Sequence, residues 1–403
     1  PGKLEKLYQG NKMLFKREFN LIFPDIQQHI AAQIWNERLN FGNKSILWGT
    51  HKDLAFVVFA SLIAGLIAKI PDFTNITQDF FYPRNIAFII FPFLSAYFAW
   101  KQNLPLIKLI PFSVAFLVSA FFINLLPFDL ESDTLILTCI HMPIVLWAIW
   151  GYVFIGYDLK SYDKRIEFLR YNGDLIVMTT ILLIAGMLLT VITLGLFELI
   201  EIKMDEFYFK YVVIWGLAAS PIVGNYLVQA NPQLVSKVSP VIARVFTPLV
   251  LATLVIYLAA IIYTAKDPYN DREFLLIFNI LLIGVMAIIL FSVTETTKDQ
   301  GSKIDIFLLL CLSIVTLLLI GIALSAILFR IYEWGITPNR LAVLGSNLLI
   351  LINLILVTYR LFNILKNRNI TIKVENSIAF FLPAYGVWAV LVSFVFPFLF
   401  NYN

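Results

Sequence analysis

The sequence predicts an all-α, polytopic bundle of about eleven membrane-spanning helices, and three observations predict it. Hydrophobic residues make up 60% of the 403 and charged residues 14%, with a mean hydropathy of +0.83, whereas soluble domains run at roughly 45–50% apolar and about 25% charged. The apolar residues are gathered into runs of roughly 17 to 25, the length that crosses about 30 Å of hydrocarbon at 1.5 Å per residue. The basic residues, finally, are divided unevenly between alternate connections.

The runs are Leu54 to Ile70, Ile86 to Trp100, Leu104 to Leu126, Thr134 to Phe154, Leu175 to Leu199, Phe207 to Val228, Pro240 to Thr264, Phe274 to Val293, Ile304 to Phe329, Leu341 to Leu365 and Ile378 to Phe400. The second is the shortest and carries Pro92. A re-entrant segment and a tilted, kinked helix are both open for it, because bare irregular backbone is not tolerated in lipid.

With the N-terminus inside, eight Lys and Arg residues precede the first span. Lys101, Lys160, Lys164, Arg165, Arg170, Lys237, Lys298, Lys303, Lys366, Arg368 and Lys373 bring that side to nineteen. The other side receives six: Arg84, Lys203, Lys266, Arg272, Arg330 and Arg340. Positive loops resist translocation, so this division predicts an N-in, C-out topology with an odd number of spans. Acidic residues gather outside, at Asp129, Glu131 and Asp133, at Glu201, Asp205 and Glu206, and at Asp267, Asp271 and Glu273. A net charge of +4 therefore says less about partners than its distribution does.

Residues 1–53 read as a cytoplasmic, interfacial region and 54–403 as the transmembrane domain. Ile26, Ile30, Ala31, Ile34 and Trp35 fall at helical spacing after Pro24 and Asp25, which read as a helix start, and Gln27, Gln28, Gln33 and Glu37 take the opposite face. The pattern predicts an amphipathic helix on the cytoplasmic leaflet, with Lys12, Lys16 and Arg17 meeting anionic lipid. A helix capping the inner ends of the bundle fits equally. The chain opens at Pro1 without an initiator methionine, and these basic, polar residues hold no apolar stretch of signal-peptide type.

Ionisable groups inside a bilayer are costly and are candidates by default. Lys108, Arg244 and Arg360 lie near the inner ends of their spans, Glu198 and Lys210 near outer ends, and each is placed to snorkel. His141, before Met142 and Pro143, lies deep in its span. A neutral imidazole bonded to a neighbouring helix fits better than a metal ligand or proton relay, since the other two histidines, His29 and His51, both fall on the cytoplasmic side and form no cluster with it. Asn225, Asn279, Asn347 and Asn353 read as interhelical hydrogen bonders. No Asp or Glu is placed mid-span, which disfavours ion-coupled carriers. Cys139 and Cys311 lie in apolar runs and behave as small hydrophobes. Phosphate-binding glycine loops, paired zinc-ligand histidines, nucleophile elbows and nucleic-acid-binding basic patches are missing. Neither metal nor cofactor is expected.

The most distinctive stretch is Tyr332-Glu333-Trp334-Gly335-Ile336-Thr337-Pro338-Asn339-Arg340, between the ninth and tenth spans. It reads as a tight turn in which Gly335 takes a positive φ, Thr337 caps the next helix and Pro338 opens it. Glu333 and Arg340 are placed to pair across the turn. With Asp267 and Arg272 from the preceding outer loop, Glu333, Thr337 and Arg340 form the candidate lip of an outer cavity. Arg340→Ala is then expected to abolish cellular function with insertion unchanged.

The segment from about Phe207 to Phe400, and above all Glu333 to Arg340 after a long apolar helix, resembles a bacterial multi-pass family known as domain of unknown function 4153. A similar acidic-aromatic-Gly-hydrophobic-Thr-x-x-Arg run lies there between two late membrane helices. Pro240 to Thr264, with Arg244, Pro248 and its Leu-Val-Ile-Tyr core, is similar to that family's earlier helix. The resemblance covers roughly half the chain. It implies an inner-membrane location and no particular activity.

Together these features point to a non-enzymatic inner-membrane component that moves, holds or gates something at the envelope, with membrane lipids and a membrane-protein complex as its partners. The rival is a membrane enzyme acting on a lipid-linked substrate at the periplasmic leaflet. There Arg272 and Arg340 would clamp phosphate, and Glu333 or Asp267 would act as base.

Overall fold

The computed structural model describes residues 12–40, 50–129, 131–199, 203–232, 238–264, 272–298, 303–366 and 372–402, together with Leu4, Glu5, Tyr8 and Tyr269. Every regular element among them is helical. The chain divides into two compact units, Pro1–Thr50 and His51–Asn403, so the boundary falls three residues before the expected one, where the first long helix begins.

The first unit is a helical hairpin of α1 (Lys12–Ile26) and α2 (Ile30–Asn40), turned at residues 27–29. It closes on Phe19, Ala32, Trp35 and Leu39, with Tyr8, Phe15, Phe23 and Ile26 around them. Arg38 forks onto Glu5 at 2.6 and 3.0 Å and lies 4.8 Å over the Trp35 ring. One point differs from the sequence expectation: the helix containing Pro24 continues to Ile26 instead of starting there. Ala32, Trp35 and Leu39 face the inside of the hairpin, while Ile30 and Ile34 are 75% and 61% exposed. The cause is aromatic: Phe15 and Tyr8 draw the Trp35 ring inward, to centroid distances of 5.1 and 5.7 Å.

The second unit contains α3 (His51–Ala68), α4 (Gln78–Asn85), α5 (Phe91–Lys101), α6 (Leu106–Leu125), α7 (Asp133–Phe154), α8 (Tyr162–Leu199), α9 (Asp205–Ala230), α10 (Val238–Thr264), α11 (Arg272–Lys298), α12 (Lys303–Trp334), α13 (Pro338–Lys366) and α14. The last runs Ile372–Val390, passes a π-turn at Leu391–Val395 and ends as Phe396–Leu399. Eight of these, α3, α6, α7, α8, α9, α12, α13 and α14, are long and apolar enough to cross a membrane. Shorter apolar helical stretches lie within α10 (Val245–Ile256) and α11 (Leu282–Thr294). The expected second span is a broken helix, in which a 3₁₀ turn at Ile86–Ile89 joins α4 to α5 and Pro92 opens the new helix. α8 starts thirteen residues before the apolar run Leu175 to Leu199 and is 38 residues long. No side chain from Ile181 to Leu194 is buried.

Polar contacts sort the helix ends into two groups. At the first end Asp53 pairs with Lys101 at 2.6 Å, Gln102 reaches Phe154 O at 2.8 Å, and Arg170 holds Thr294 O and Glu375 at 3.1 and 2.6 Å. At the second end Tyr82 donates to Ala68 O, Lys69 to Lys210 O and Ser132 to Tyr402 O. Arg84 there donates to the carbonyls of Ile123 and Leu126 at 2.6 and 3.0 Å, closing the C-terminus of α6 with its guanidinium.

Between the ends lie two cores. One joins α3, α5, α7, α8 and α9 around Ala64, Leu94, Trp150 and Ile222. The other joins α10 to α14 around Leu282, Leu319, Leu354 and Ile378. Helices approach closely where glycine seats a ring from a neighbour: Gly65 beneath Trp215, Gly173 beneath Phe291 and Gly345 beneath Trp388. A seam of α7 and α8 against α14 joins the cores, with Met142, Val145 and Leu146 packed on Ala389.

Candidate functional site

The first end of the bundle holds a buried carboxylate set among aromatic rings. Asp53 stands in the first turn of α3 and Lys101 in the last turn of α5, each at the helix terminus that favours its charge. Because α3 and α5 lie side by side in opposite directions, the two meet, with Asp53 only 4% exposed. The Lys101 ammonium also lies 5.4 Å over the Trp100 ring and 5.8 Å over Tyr97. Those two rings stand at 72° to one another, and Phe56 stacks on Trp100 at 5.5 Å and 10° and meets Tyr97 edge-on at 5.5 Å. The result is a corner of two aromatic faces closed by a carboxylate. Tyr226, brought in by α9, is buried in the same core at 3% exposure.

Next to it Tyr171 bonds Asn225 Oδ1 at 2.5 Å, joining α8 to α9, and Trp147 bonds Asn172 at 2.9 Å, joining α7 to α8. In the other core Asn347 reaches Asn279 at 2.7 Å, Asn353 reaches Tyr385 at 2.9 Å and Trp388 reaches Ser346 at 3.0 Å. Asn225 and Asn279 thus each meet a polar side chain of another helix.

The seam has a chemistry of its own. A proline inside a helix leaves the carbonyl four residues earlier without its N–H. Pro383 frees Ala379 O, and Arg165 of α8 donates to it at 2.9 Å. Pro397 frees Ser393 O, and Thr138 of α7 donates to it at 3.2 Å. Within α9, Pro221 frees Leu217 O, which accepts from Ser220 at 3.1 Å.

At the second end the distinctive turn forms as its residues dictate: Gly335 has φ +78°, the Thr337 hydroxyl accepts from Arg340 N–H at 3.4 Å, and Pro338 is buried at the start of α13. Arg340 does not pair with Glu333. It donates to Trp334 O and Gly335 O at 2.9 and 2.8 Å, drawn by the negative end of α12, while Glu333 stays exposed. Asp267 lies outside the described residues, as does the side chain of Arg272, so the expected outer lip is represented by Glu333, Thr337 and Arg340 alone. His141 bonds Leu137 O of its own helix at 2.8 Å, not a neighbouring helix. Nearby, Lys69 is 1% exposed, pairs with Asp72, and lies 4.6 Å over the Tyr211 ring.

Among the described residues no three His, Cys, Asp or Glu side chains gather as a metal site. Sequence reasoning passed over Asp53, Lys101, Tyr97, Tyr171 and Tyr226. The available signal was that all five lie at span ends on the same predicted side. No family model, curated protein or solved structure matches the chain, so the resemblance to domain of unknown function 4153 rests on the sequence motif alone.

Proposed function

We propose that the chain is a bacterial inner-membrane component that crosses the bilayer eleven times, N-terminus in and C-terminus out. It works without catalysing a reaction, moving, holding or gating something at the envelope, alone or within a larger membrane complex. The observation that carries the gating part is the seam: α14 is interrupted by two prolines and a π-turn, and side chains of α7 and α8 hold its freed carbonyls. Such bonds break and re-form without unfolding a helix, and π-turns are frequent at moving or functional sites. The alternation of helix ends supports the crossing number. The excess of Lys and Arg at the first end supports its cytoplasmic placement. The hairpin Lys12–Asn40 then belongs to the inner leaflet, with anionic lipid as its partner.

The enzyme reading is less well supported, because Arg340, its phosphate clamp, already serves two carbonyls. Thr138→Cys with Ser393→Cys, in a chain whose Cys139 and Cys311 are replaced, allows a short bis-thiol reagent to lock the seam. The locked protein should fail to complement a deletion strain while remaining at normal abundance. Full complementation by the locked protein would remove the seam from the mechanism. Topology is tested separately: Asn103→Cys should react with an impermeant maleimide only after the inner membrane is opened, and Ile336→Cys before.

A further inference from the structure

We infer that the corner formed by Asp53, Tyr97 and Trp100 is an organic-ammonium site that the chain fills with its own Lys101. The geometry is that of ammonium recognition: one carboxylate at 2.6 Å and two ring faces within 6 Å of the nitrogen, set at 72° to each other. A plain ion pair between helix ends requires only the carboxylate. Here Phe56 stacks on Trp100 and meets Tyr97 edge-on, both at 5.5 Å, so the two rings are held in place whether or not Lys101 is there. Asp53 and Tyr97 are buried at 4% and 2%, which fixes the floor of the corner. Lys101 and Trp100 are 39% and 38% exposed, so the occupant enters from the bundle end and can leave by rotating its own stem. Lys101 is thus a tethered competitor, and the ligand it excludes is a primary or quaternary alkylammonium, carried by a soluble amine or by a lipid headgroup. The inference stands apart from the gating proposal, since the corner lies on α3 and α5, away from α14.

The test uses the full-length protein in nanodiscs of phosphatidylglycerol, with tetramethylammonium chloride as probe and equal sodium chloride as control. Lys101→Met should gain a saturable rise in thermal midpoint, with apparent affinity about tenfold above the unmodified protein, because the tethered ammonium no longer competes. Adding Asp53→Asn should lose about tenfold or more of that affinity, and adding Trp100→Leu about three- to tenfold. Nanodiscs containing phosphatidylethanolamine separate the two sources. A weakened probe means that the headgroup reaches the corner, and an unchanged probe means a soluble amine, each within the inferred class. A Lys101→Met protein that unfolds cooperatively and responds equally to both salts overturns the inference. Should that variant fail to fold, the unmodified protein decides: tetramethylammonium should raise acylation of Lys101 several-fold by an amine-reactive ester, and constant labelling refutes displacement.

Discussion

Arg165 donates from Nη1 to the carbonyl oxygen of Ala379 at 2.9 Å, across the seam between α8 and α14. That oxygen is the one Pro383 deprives of its helical donor, so the arginine replaces a backbone bond from another helix. Arg165→Met should destabilise the protein by about 1–3 kcal/mol, the cost of an unsatisfied buried carbonyl. In a Pro383→Ala background residue 383 regains its N–H, and the same change should cost less than about 1 kcal/mol. A double-mutant cycle by denaturant titration in mixed micelles measures the difference. Additive costs would separate the arginine from the proline.

Arg340 closes the C-terminus of α12 through two carbonyls. Arg340→Ala should therefore lower stability by about 1–2 kcal/mol and reduce membrane abundance. This departs from the sequence expectation of lost function at normal insertion. Quantitative immunoblotting of membranes beside a complementation assay distinguishes them, and inactivity at full abundance would restore the functional role.

A methyl group on Gly345 would strike the Trp388 indole, which is also held by Ser346 at 3.0 Å. Gly345→Ala should cost about 1–3 kcal/mol by overpacking. Gly345→Ala with Trp388→Phe should recover part of that loss, seen as a higher unfolding midpoint in detergent.

Hydropathy made the apolar runs legible because lipid imposes one length on every crossing. The turn at Gly335, Thr337 and Pro338 was legible because its conformation is dictated locally. The start of α8 was not: Lys164, Arg165, Glu167, Arg170 and Asp174 read as a connection, yet Arg165 and Arg170 reach α14 and continue the helix. In the first unit, the ring contacts that Tyr8 and Phe15 make with Trp35 pair segments far apart in sequence, which spacing along one helix does not show. The corner at Asp53 was hidden for a similar reason. Its members are 48 residues apart in sequence, from 53 to 101, and meet only because two helices pack in opposite directions.

The glycine seats carry a consequence for inheritance. At Gly65 with Trp215, Gly173 with Phe291 and Gly345 with Trp388, the glycine is not free to change while the ring stays, since a larger residue at the seat requires a smaller ring opposite it. The order of change is therefore fixed: the ring must shrink before the seat can grow, so each glycine inherits its freedom from a residue far away in the gene.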